Sequence, residues 1–398
     1  MNKKPLIAHV LYRLDVGGME RFVLTLVNHT GERYRHAVIC LTEFGPMRRE
    51  IADPAVQCLA LHKRPGKDWG CYIRFWRALH ALKPDLVHTY NIGALDLAPI
   101  AKLAGVPCVV HAERGRDAAD PNGENRRYRS LRRWMSPFIA RWLPVSRDLE
   151  SWLVNSVGID QVKVFYAPNG VDVERFGPGP DAARGRPLLG DFASHGTLLI
   201  MNVGRLDPIK DQEGLLDAFD LLCKSDKPFA SRLRLAIVGE GPERPALERH
   251  IARLELAGQV RLLGNRNDVP ALLGEANIFV LSSIAEGMPG VVLEAMASGL
   301  PVVATKVGGT VELVVDGETG VLVAASNPAE LAAALNRYCR DPELRRRHGH
   351  AGRARVERQL SLTSMLSAYV ALYDKLLARH AQRRQSDARI GVAGPGEH

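Results

Sequence analysis

Two glutamates in one short segment have the clearest potential for chemistry in this chain. Glu286 and Glu294 lie eight positions apart, and the residues between them begin with Gly-Met-Pro-Gly. That run cannot continue a helix, because proline removes a backbone donor and glycine adds backbone freedom. The apolar run 278–281 comes just before it. The segment therefore predicts a strand, a tight loop holding Glu286, and a short helix from about Val291 with Glu294 in its first turn.

The position of this loop limits what its acids can do. Open α/β sheets bind ligands at the carboxyl ends of their strands, where helix amides favour anions. Carboxylates beside such an anion site fit the hydroxyl groups of a sugar or a ribose. The alternative is a pair of surface glutamates that flank an ordinary strand–helix unit.

This segment resembles the signature of the family 4 retaining glycosyltransferases, which have the GT-B fold. The resemblance rests on the E-x7-E arrangement and on the following Glu294-Ala-Met-Ala-Ser-Gly-Leu-Pro-Val-Val-Ala-Thr305, and it extends from Gly17 to about Ala378. It implies that Glu286 contacts hydroxyls of a donor sugar, Glu294 the ribose hydroxyls, and nearby amides the phosphate oxygens. The substrate-binding residues it implies here are Gly287, Met288, Pro289, Gly290, Val291, Val292 and Glu294.

Two cations follow the first apolar run of the second half, at Arg205 and Lys210. An arginine fork and a lysine point charge can hold a diphosphate between them. The resembled family places such residues on the nucleotide diphosphate, where they stabilise the leaving group. The chain contains no Asp-x-Asp, which metal-dependent GT-A transferases usually carry. We therefore expect no metal and no cofactor. The alternative for these cations is a salt bridge at the start of a helix.

The first half has two candidate loops of its own. Gly17 and Gly18 precede a helical stretch, so their backbone amides can approach a ligand closely. By resemblance this loop lies over the donor diphosphate and the acceptor; a plain turn is the alternative.

A charged loop follows the strand that ends at His111. The resemblance implies that His111 contacts the transferred sugar and is a catalytic residue with Arg205, Lys210 and Glu286. The wording His-Ala-Glu-Arg-Gly-Arg-Asp is similar to that of a subgroup linked to bacterial exopolysaccharide (PEP-CTERM-associated) systems. The residues expected to line the acceptor side are Glu113, Arg114, Arg116 and Asp117.

Two series of apolar runs, each alternating with helical stretches, indicate two α/β domains. The strands are predicted at 7–11, 37–41, 86–89, 108–111, 197–203, 233–238, 260–263, 278–281 and 302–304. The series imply two Rossmann-like domains facing across an interdomain cleft, and the resemblance implies that this α/β fold is GT-B. A run rich in glycine and proline at 176–187 is the expected linker. We expect domains over 1–178 and 179–360, a helix over 361–380 and a disordered tail over 381–398. The resemblance implies that the first domain binds the acceptor, that the second binds the nucleotide-sugar, and that the helix returns to the first domain.

The composition indicates a globular protein of the cytoplasm. Hydrophobic residues make up 46% of the chain and charged residues 24%. No run of 18 apolar residues occurs, and the opening residues lack the apolar stretch of a signal peptide. The six cysteines form no C-x-x-C pair, so we expect buried or incidental thiols.

Basic residues are unevenly distributed in this chain of net charge +9. Six arginines between 126 and 141 alternate with Trp134, Trp142 and other apolar residues. This pattern suits an anionic membrane surface or a lipid-phosphate acceptor. The alternative is an amphipathic helix whose aromatic residues pack inward. Nucleic acid is not expected, because no nucleic-acid-binding motif occurs.

The sequence thus predicts a metal-independent hexosyltransferase of bacterial exopolysaccharide or cell-surface glycan synthesis. Its expected partners are a UDP- or GDP-sugar donor and a glycan or polyprenyl-phosphate-linked acceptor, with peripheral contact on the cytoplasmic face of the inner membrane. Three other interpretations remain open: a GT-B sugar-nucleotide 2-epimerase, a non-catalytic nucleotide-sugar-binding subunit and, ranked last because it rests only on net charge, a nucleic-acid-binding protein.

Overall fold

The computed structural model describes residues 4–117, 120–178, 188–194 and 196–392, with the backbone alone for 227 and 383–392. The chain forms two compact units. Unit 1 comprises Met1–Ala167 and Met365–His398, and unit 2 comprises Pro168–Ser364. The division at 167/168 lies before the boundary expected at 178, and residues 179–187 of the expected linker lie outside the described residues.

Unit 1 contains a six-stranded parallel sheet with the strand order β3-β2-β1-β4-β5-β6. Three of its six strands, β1, β4 and β5, are buried along their whole length, as expected where helices cover both faces of a parallel sheet. The strands are β1 Leu6–Leu11, β2 Arg35–Cys40, β3 Gln57–Ala60, β4 Leu86–Tyr90, β5 Cys108–Glu113 and β6 Arg141–Pro144.

The helices of unit 1 connect these strands. They are α1 Gly18–His29, α2 Trp69–Leu82, α3 Ala98–Leu103, α4 Arg126–Met135 and α5 Arg147–Ser151, followed by a π-helical turn over Trp152–Val157. Short 3₁₀ turns cover Pro46–Glu50, Ile92–Leu97, Ser136–Phe138 and Gln161–Lys163.

Three of these helices form one layer. The connection through α1 leads from β1 towards the β3 edge of the sheet, whereas the connections through α2, α3 and α4 lead towards the β6 edge. Because crossovers between parallel strands are right-handed, α2, α3 and α4 lie together on one face of the sheet and α1 lies on the opposite face. The contacts between these elements agree with this placement, because α2 packs on α3 and α3 packs on the turn that follows α4.

Unit 2 repeats the same topology. Its parallel sheet has the order β12-β11-β10-β7-β8-β9. The strands are β7 Leu198–Val203, β8 Leu233–Val238, β9 Val260–Leu262, β10 Ile278–Leu281, β11 Val302–Thr305 and β12 Gly320–Val323. The helices are α6 Gln212–Ser225, α7 Lys227–Ala230, α8 Arg244–Arg253, α9 Val269–Glu275, α10 Gly290–Ala297, α11 Thr310–Leu313, α12 Pro328–Arg340 and α13 Pro342–Gln359, with 3₁₀ turns at Gly190–Ala193 and Pro208–Lys210.

A long helix, α14, covers Leu362–Val392. Its residues from Met365 onward belong to unit 1, and the ring of Tyr369 lies 5.2 Å from that of Phe22 on α1. The helix continues past residue 380, into the stretch expected to be disordered; residues 393–398 lie outside the described residues. No helix in the described part of the chain has both the length and the apolarity needed to cross a bilayer.

The sequence missed three strands, and each lacks the long apolar run that identified the others. β3 is a four-residue edge strand with an exposed glutamine. β6 lies inside the arginine-rich segment, for which an amphipathic helix was the alternative interpretation; only the first part of the segment, α4, is helical. β12 begins with a glycine three residues after the Asp316-Gly317 turn. All six cysteines are free thiols, and all but Cys58 are buried, as predicted.

Candidate functional site

Lys210 and Glu286 meet at the carboxyl edge of the sheet in unit 2. β7 and β10 are neighbours in this sheet, so the loops that follow them lie side by side. Lys210 Nζ donates a hydrogen bond to Glu286 Oε1 over 2.6 Å, and Ser283 Oγ donates to the same oxygen over 2.6 Å. The Glu286 side chain keeps 9% of its surface exposed, against 24% for Lys210. The pair is therefore sheltered but open to a ligand.

Further hydrogen bonds hold the two loops together. Ser282 Oγ donates to the Lys210 carbonyl over 2.8 Å. The backbone amide of Ile284 donates to the Ile209 carbonyl over 2.8 Å. Thr305 at the end of β11 donates from Oγ1 to the Ser283 carbonyl over 2.6 Å. The geometry of the Lys210–Glu286 contact is thus fixed by the backbone on both sides.

A glycine allows a third loop to touch the Glu286 backbone. Gly308 has φ +46°, and a Cβ atom there would lie 1.8 Å from the Glu286 carbonyl oxygen. Next to it, the Gly309 amide donates to the Gly287 carbonyl over 2.9 Å. Only glycine fits both the conformation and the space.

Arg205 follows β7 and pairs with an acid of its own loop. Its Nη2 donates to Asp207 Oδ2 over 2.5 Å, and 63% of its side chain is exposed. The Gln212 side chain donates to the Arg205 carbonyl over 2.9 Å, which holds the loop in place. Lys210 therefore binds the acid, whereas Arg205 forms a salt bridge within its own loop, which was the alternative interpretation, and a shared role of the two cations on a diphosphate stays a prediction.

The helix after Glu286 starts one residue earlier than predicted, at Gly290. Glu294 is its fifth residue, so the expectation that it lies in the first turn is wrong. The residue before the helix, Pro289, has no side chain that can cap it, and a Cβ atom on Gly290 would meet nothing within 4 Å. An uncapped helix start with open space in front of it is favourable for an anion. Glu294 and Val291 are partly exposed nearby.

The rest of the loop that contains Glu286 is held in place by residues of unit 2. Met288 and Pro289 are buried, and Val292 is buried at the start of the helix. Asn169 Nδ2 donates to the Met288 carbonyl over 2.9 Å. Neither Asn169 nor Ser283 was assigned to the site from the sequence. A hydroxyl side chain three residues before Glu286 was the available signal for Ser283, whereas Asn169 lies 119 positions from Met288 and no local pattern connects the two.

In unit 1, His111 lies in β5 with no exposed surface. Its Nε2 is 3.3 Å from Glu113 Oε1, and its Nδ1 is 2.8 Å from Thr89 Oγ1. Because an ionised carboxylate only accepts hydrogen bonds, the ring proton lies on Nε2. Burial lowers the pKa of His111, against the opposing effect of Glu113. The imidazole is therefore neutral near pH 7.

Glu113 forms a buried ion pair with Arg132 of α4. Arg132 Nε and Nη2 donate to the two carboxylate oxygens over 2.6 Å and 3.1 Å. Burial by itself would raise the pKa of Glu113, but Arg132 and His111 lower it to about 2. Glu113 has no exposed surface. Its predicted contact with an acceptor stays a prediction, and the structure gives the carboxylate a different partner, which the sequence did not identify.

The two arginines after β5 pack against aromatic rings, Arg114 on Phe22 and Arg116 on Trp152. The Arg114 guanidinium lies 3.6 Å from the centre of the Phe22 ring. Burial lowers the pKa of Arg114. Arg116 pairs with Asp148 over 2.9 Å, and Asp117 is partly exposed beside it in sequence. Roles for these residues in acceptor binding stay predictions.

Gly17 and Gly18 stand at the start of α1, as predicted. Gly18 is exposed, and a Cβ atom there would meet nothing within 4 Å. Gly17 is the residue before the helix and is extended. The Glu20 carboxylate lies close to it, since a Cβ atom on Gly17 would be 2.3 Å from Glu20 Oε2, so only Gly18 has open space beside it at this helix start.

Known proteins match both halves of the chain. The family described as Glycosyltransferase Family 4 matches residues 16–175, and the family described as Glycosyl transferases group 1 matches residues 192–355. The UDP-Gal:alpha-D-GlcNAc-diphosphoundecaprenol alpha-1,3-galactosyltransferase of Escherichia coli is 28% identical over 349 residues, covering 85% of this chain and 89% of its own. The MMP alpha-(1->4)-mannosyltransferase of Mycolicibacterium hassiacum is 31% identical over 314 residues, covering 75% and 72%.

A solved structure shows the same fold. Anabaena HepE in complex with UDP superposes with a TM-score of 0.77 and 20% identity over 93% of this chain and 99% of that one. At this identity the likeness shows the architecture, which is GT-B with two Rossmann-like domains. Together with the two family matches, it establishes that the chain is a glycosyltransferase of family 4 with the GT-B fold.

Proposed function

We propose that this protein is a retaining hexosyltransferase that moves a sugar from a UDP- or GDP-sugar to a glycan or polyprenyl-phosphate-linked acceptor. The Lys210–Glu286 contact carries the proposal. It places a cation and a carboxylate at the carboxyl edge of a Rossmann-like sheet, beside the open start of α10. The cation suits a diphosphate and the carboxylate suits sugar hydroxyls.

Each side chain has a role in this proposal. Lys210 uses one of three donors on Glu286, so two remain for diphosphate oxygens. Arg205, exposed on the neighbouring loop, supplies a second cation. Glu286 accepts from hydroxyls of the transferred sugar and Glu294 from those of the ribose. Amides at Gly290 to Val292 bind phosphate oxygens.

The proposed reaction needs no metal ion. Charge grows on the diphosphate as the bond to the sugar breaks, and preorganised cations lower the free energy of that state. Lys210 and Arg205 supply those cations from the protein. No general base is assigned, because in the proposed front-face reaction the departing phosphate accepts the proton of the acceptor hydroxyl.

Two similar proteins support the choice of donor and acceptor. By its name, the E. coli relative uses UDP-Gal and a GlcNAc-diphosphoundecaprenol. Anabaena HepE has been solved with UDP. A lipid-linked acceptor favours a place at the cytoplasmic face of the inner membrane, in the synthesis of exopolysaccharide or another cell-surface glycan.

A thermal-shift screen tests the donor. UDP, GDP, ADP and the corresponding nucleotide sugars are each added, with and without EDTA, at a concentration about 100 times a Kd in the micromolar range. Binding to the native state alone stabilises it by about 2.7 kcal/mol, which raises Tm by roughly 5 °C or more. We expect one base to stand out, with the same shift in EDTA. If no nucleotide raises Tm, or if EDTA abolishes the shift, the proposed donor site or its metal independence is wrong.

The configuration of the product tests retention. NMR of the glycoside formed from the cognate α-linked donor is expected to show an α-linkage. A β-linked product, or isomerised donor without transfer, contradicts the proposal.

A further inference from the structure

All exposed tryptophans of this protein lie on one helical layer. The chain has five tryptophans. Trp142 and Trp152 are buried, whereas Trp69, Trp76 and Trp134 are 75%, 42% and 73% exposed. The first two lie on α2 and the third on α4. These helices belong to the layer of α2, α3 and α4 on one face of the unit 1 sheet.

Other large apolar side chains extend this surface. On α2, Ile73 is 54% exposed and lies between the two tryptophans at helical spacing, so Trp69, Ile73 and Trp76 form one stripe. Leu103, at the end of α3, is 76% exposed. We call the set of Trp69, Ile73, Trp76, Leu103 and Trp134 the tryptophan face. Exposed apolar residues grouped in this way mark interaction surfaces.

The helices under the tryptophan face carry only positive charge. α2, α3 and α4 contain no aspartate or glutamate, but two, one and five Lys or Arg residues respectively. Two of these arginines form ion pairs within unit 1: Arg132 pairs with Glu113, and Arg74 pairs with Asp68. Arg77, Arg126 and Arg127 are exposed. The surface therefore combines aromatic side chains with unneutralised basic residues.

We propose that the tryptophan face docks on an anionic lipid surface. Tryptophan has an apolar ring with one polar N–H and is favoured at the boundary between headgroups and acyl chains. Arginines beside it bind anionic headgroups. This charge complementarity selects an anionic bilayer over a second copy of the same positively charged face. The inference assigns a surface to the membrane contact proposed above, and lipid binding through it requires no sugar transfer.

The surface differs from the one expected from the sequence alone. The sequence pointed to the segment 126–142 as the membrane contact. In the structure Trp142 is buried in β6 with its ring 4.9 Å from that of His111, so it cannot reach a membrane. Trp134 keeps its exposed position and is joined by residues of α2 and α3. The docking surface therefore comes from three helices.

Vesicle flotation tests the proposal with the full chain. The vesicles are phosphatidylglycerol and phosphatidylcholine in equal parts, or phosphatidylcholine alone. We expect the protein to float with the anionic vesicles at low salt and to bind the neutral ones at least tenfold more weakly. The double variant W69S/W76S is expected to lose about tenfold or more in partitioning, because binding scales with the apolar area inserted. W134S is expected to lose less.

Matched controls separate this surface from general stickiness. Leu221→Ser removes an exposed apolar side chain of α6 in unit 2 and is expected to bind vesicles as the wild type does. The variant R126Q/R127Q is expected to lose about fivefold per arginine. R346Q/R347Q, which removes exposed arginines of α13 in unit 2, is expected to change partitioning by less than twofold.

Three results would overturn the proposal. The first is that the wild-type protein does not float with anionic vesicles at low salt. The second is that W69S/W76S floats as well as the wild type. The third is that light scattering shows the wild type to be a dimer and W69S/W76S to be a monomer. Nucleotide binding by thermal shift is measured on the same samples. If it is intact in W69S/W76S while flotation is lost, the lipid surface is separate from the donor site; if nucleotide binding is absent in the wild type, the proposed function fails whatever flotation shows.

Discussion

Lys210 and Glu286 are 76 residues apart in the chain, and their side chains form a 2.6 Å hydrogen bond between Nζ and Oε1. The contact exists because β7 and β10 are adjacent in the sheet although two strands separate them in sequence. Such a change in strand order is where doubly wound sheets open a crevice for ligands. The pair thus lies at the place in unit 2 where the topology itself provides a binding site.

Replacing either partner tests this pair. We expect Lys210→Ala and Glu286→Ala each to lower turnover about 10²-fold or more, since each removes one preorganised electrostatic group. Because the two side chains touch, the double variant is expected to lose less than the product of the single effects. Steady-state kinetics with the cognate donor measures this. Lys224→Ala, which removes a lysine paired with Asp220 on α6, is the control, and near-wild-type turnover of K210A or E286A would disprove the assigned site.

A glycine pair tests the loop geometry behind Glu286. Gly308 and Gly317 both have positive φ, +46° and +76°, but a Cβ atom would meet a neighbouring backbone atom within 4 Å only at Gly308, where it would strike the Glu286 carbonyl. Gly317→Ala is expected to cost about 1 kcal/mol of conformational strain. Gly308→Ala adds overpacking and is expected to cost roughly 3 kcal/mol or more, with loss of turnover. Thermal unfolding and kinetics of both variants measure this, and equal effects would contradict the close approach.

The buried Glu113–Arg132 pair predicts a large loss of stability on substitution. Glu113→Gln leaves the Arg132 guanidinium buried without its counter-charge, and we expect a cost of about 3–5 kcal/mol. All five tryptophans lie in unit 1, so denaturation followed by tryptophan fluorescence reports on this unit. Glu124→Gln, at an exposed position nearby, is the control. A denaturation midpoint of E113Q equal to that of the control would show that the pair contributes little.

Buried histidines predict that unit 1 loses stability in mild acid. Burial lowers the pKa of His36 from 6.5 to about 4 and holds the pKa of His9 and His88 well below 6.5. Below pH 6.5 the unfolded chain therefore binds protons that the folded chain excludes. Stability is fully present above pH 6.5 and falls as the pH drops towards 4, by about 1.4 kcal/mol per pH unit for each histidine.

Denaturation at pH 7.5, 6.0 and 5.0, followed by tryptophan fluorescence, checks this slope. His36→Gln is expected to reduce it, and His80→Gln, on the exposed side of α2, to leave it unchanged. The pKa of Glu113, lowered to about 2, contributes only at lower pH, where stability is lost as this carboxylate becomes protonated. A flat profile between pH 7.5 and 5.0 would contradict the buried neutral histidines.

Much of the fold could be predicted because parallel strands covered on both faces are continuous apolar runs. Leu233–Val238 and Ile278–Leu281 were predicted with the bounds that the structure has. Gln57–Ala60 and Arg141–Pro144 could not be found in this way. An edge strand is less buried, and a strand within an arginine-rich segment has the local composition of a solvated helix.

The sequence by itself determined which residues have the chemistry of a sugar-nucleotide site: two acids around a Gly-Met-Pro-Gly loop, two cations after a strand, and a histidine at another strand end. It also determined the alternation of strands and helices, because these depend on local composition and spacing. Only the tertiary structure decided which charges meet. Glu113 and Arg132 belong to a stretch of sequence rich in charged residues, yet they pair in the core. Lys210 and Glu286 instead pair at an open edge of the sheet. Electrostatic contacts depend on distance and burial in space, and neither is encoded by position along the chain.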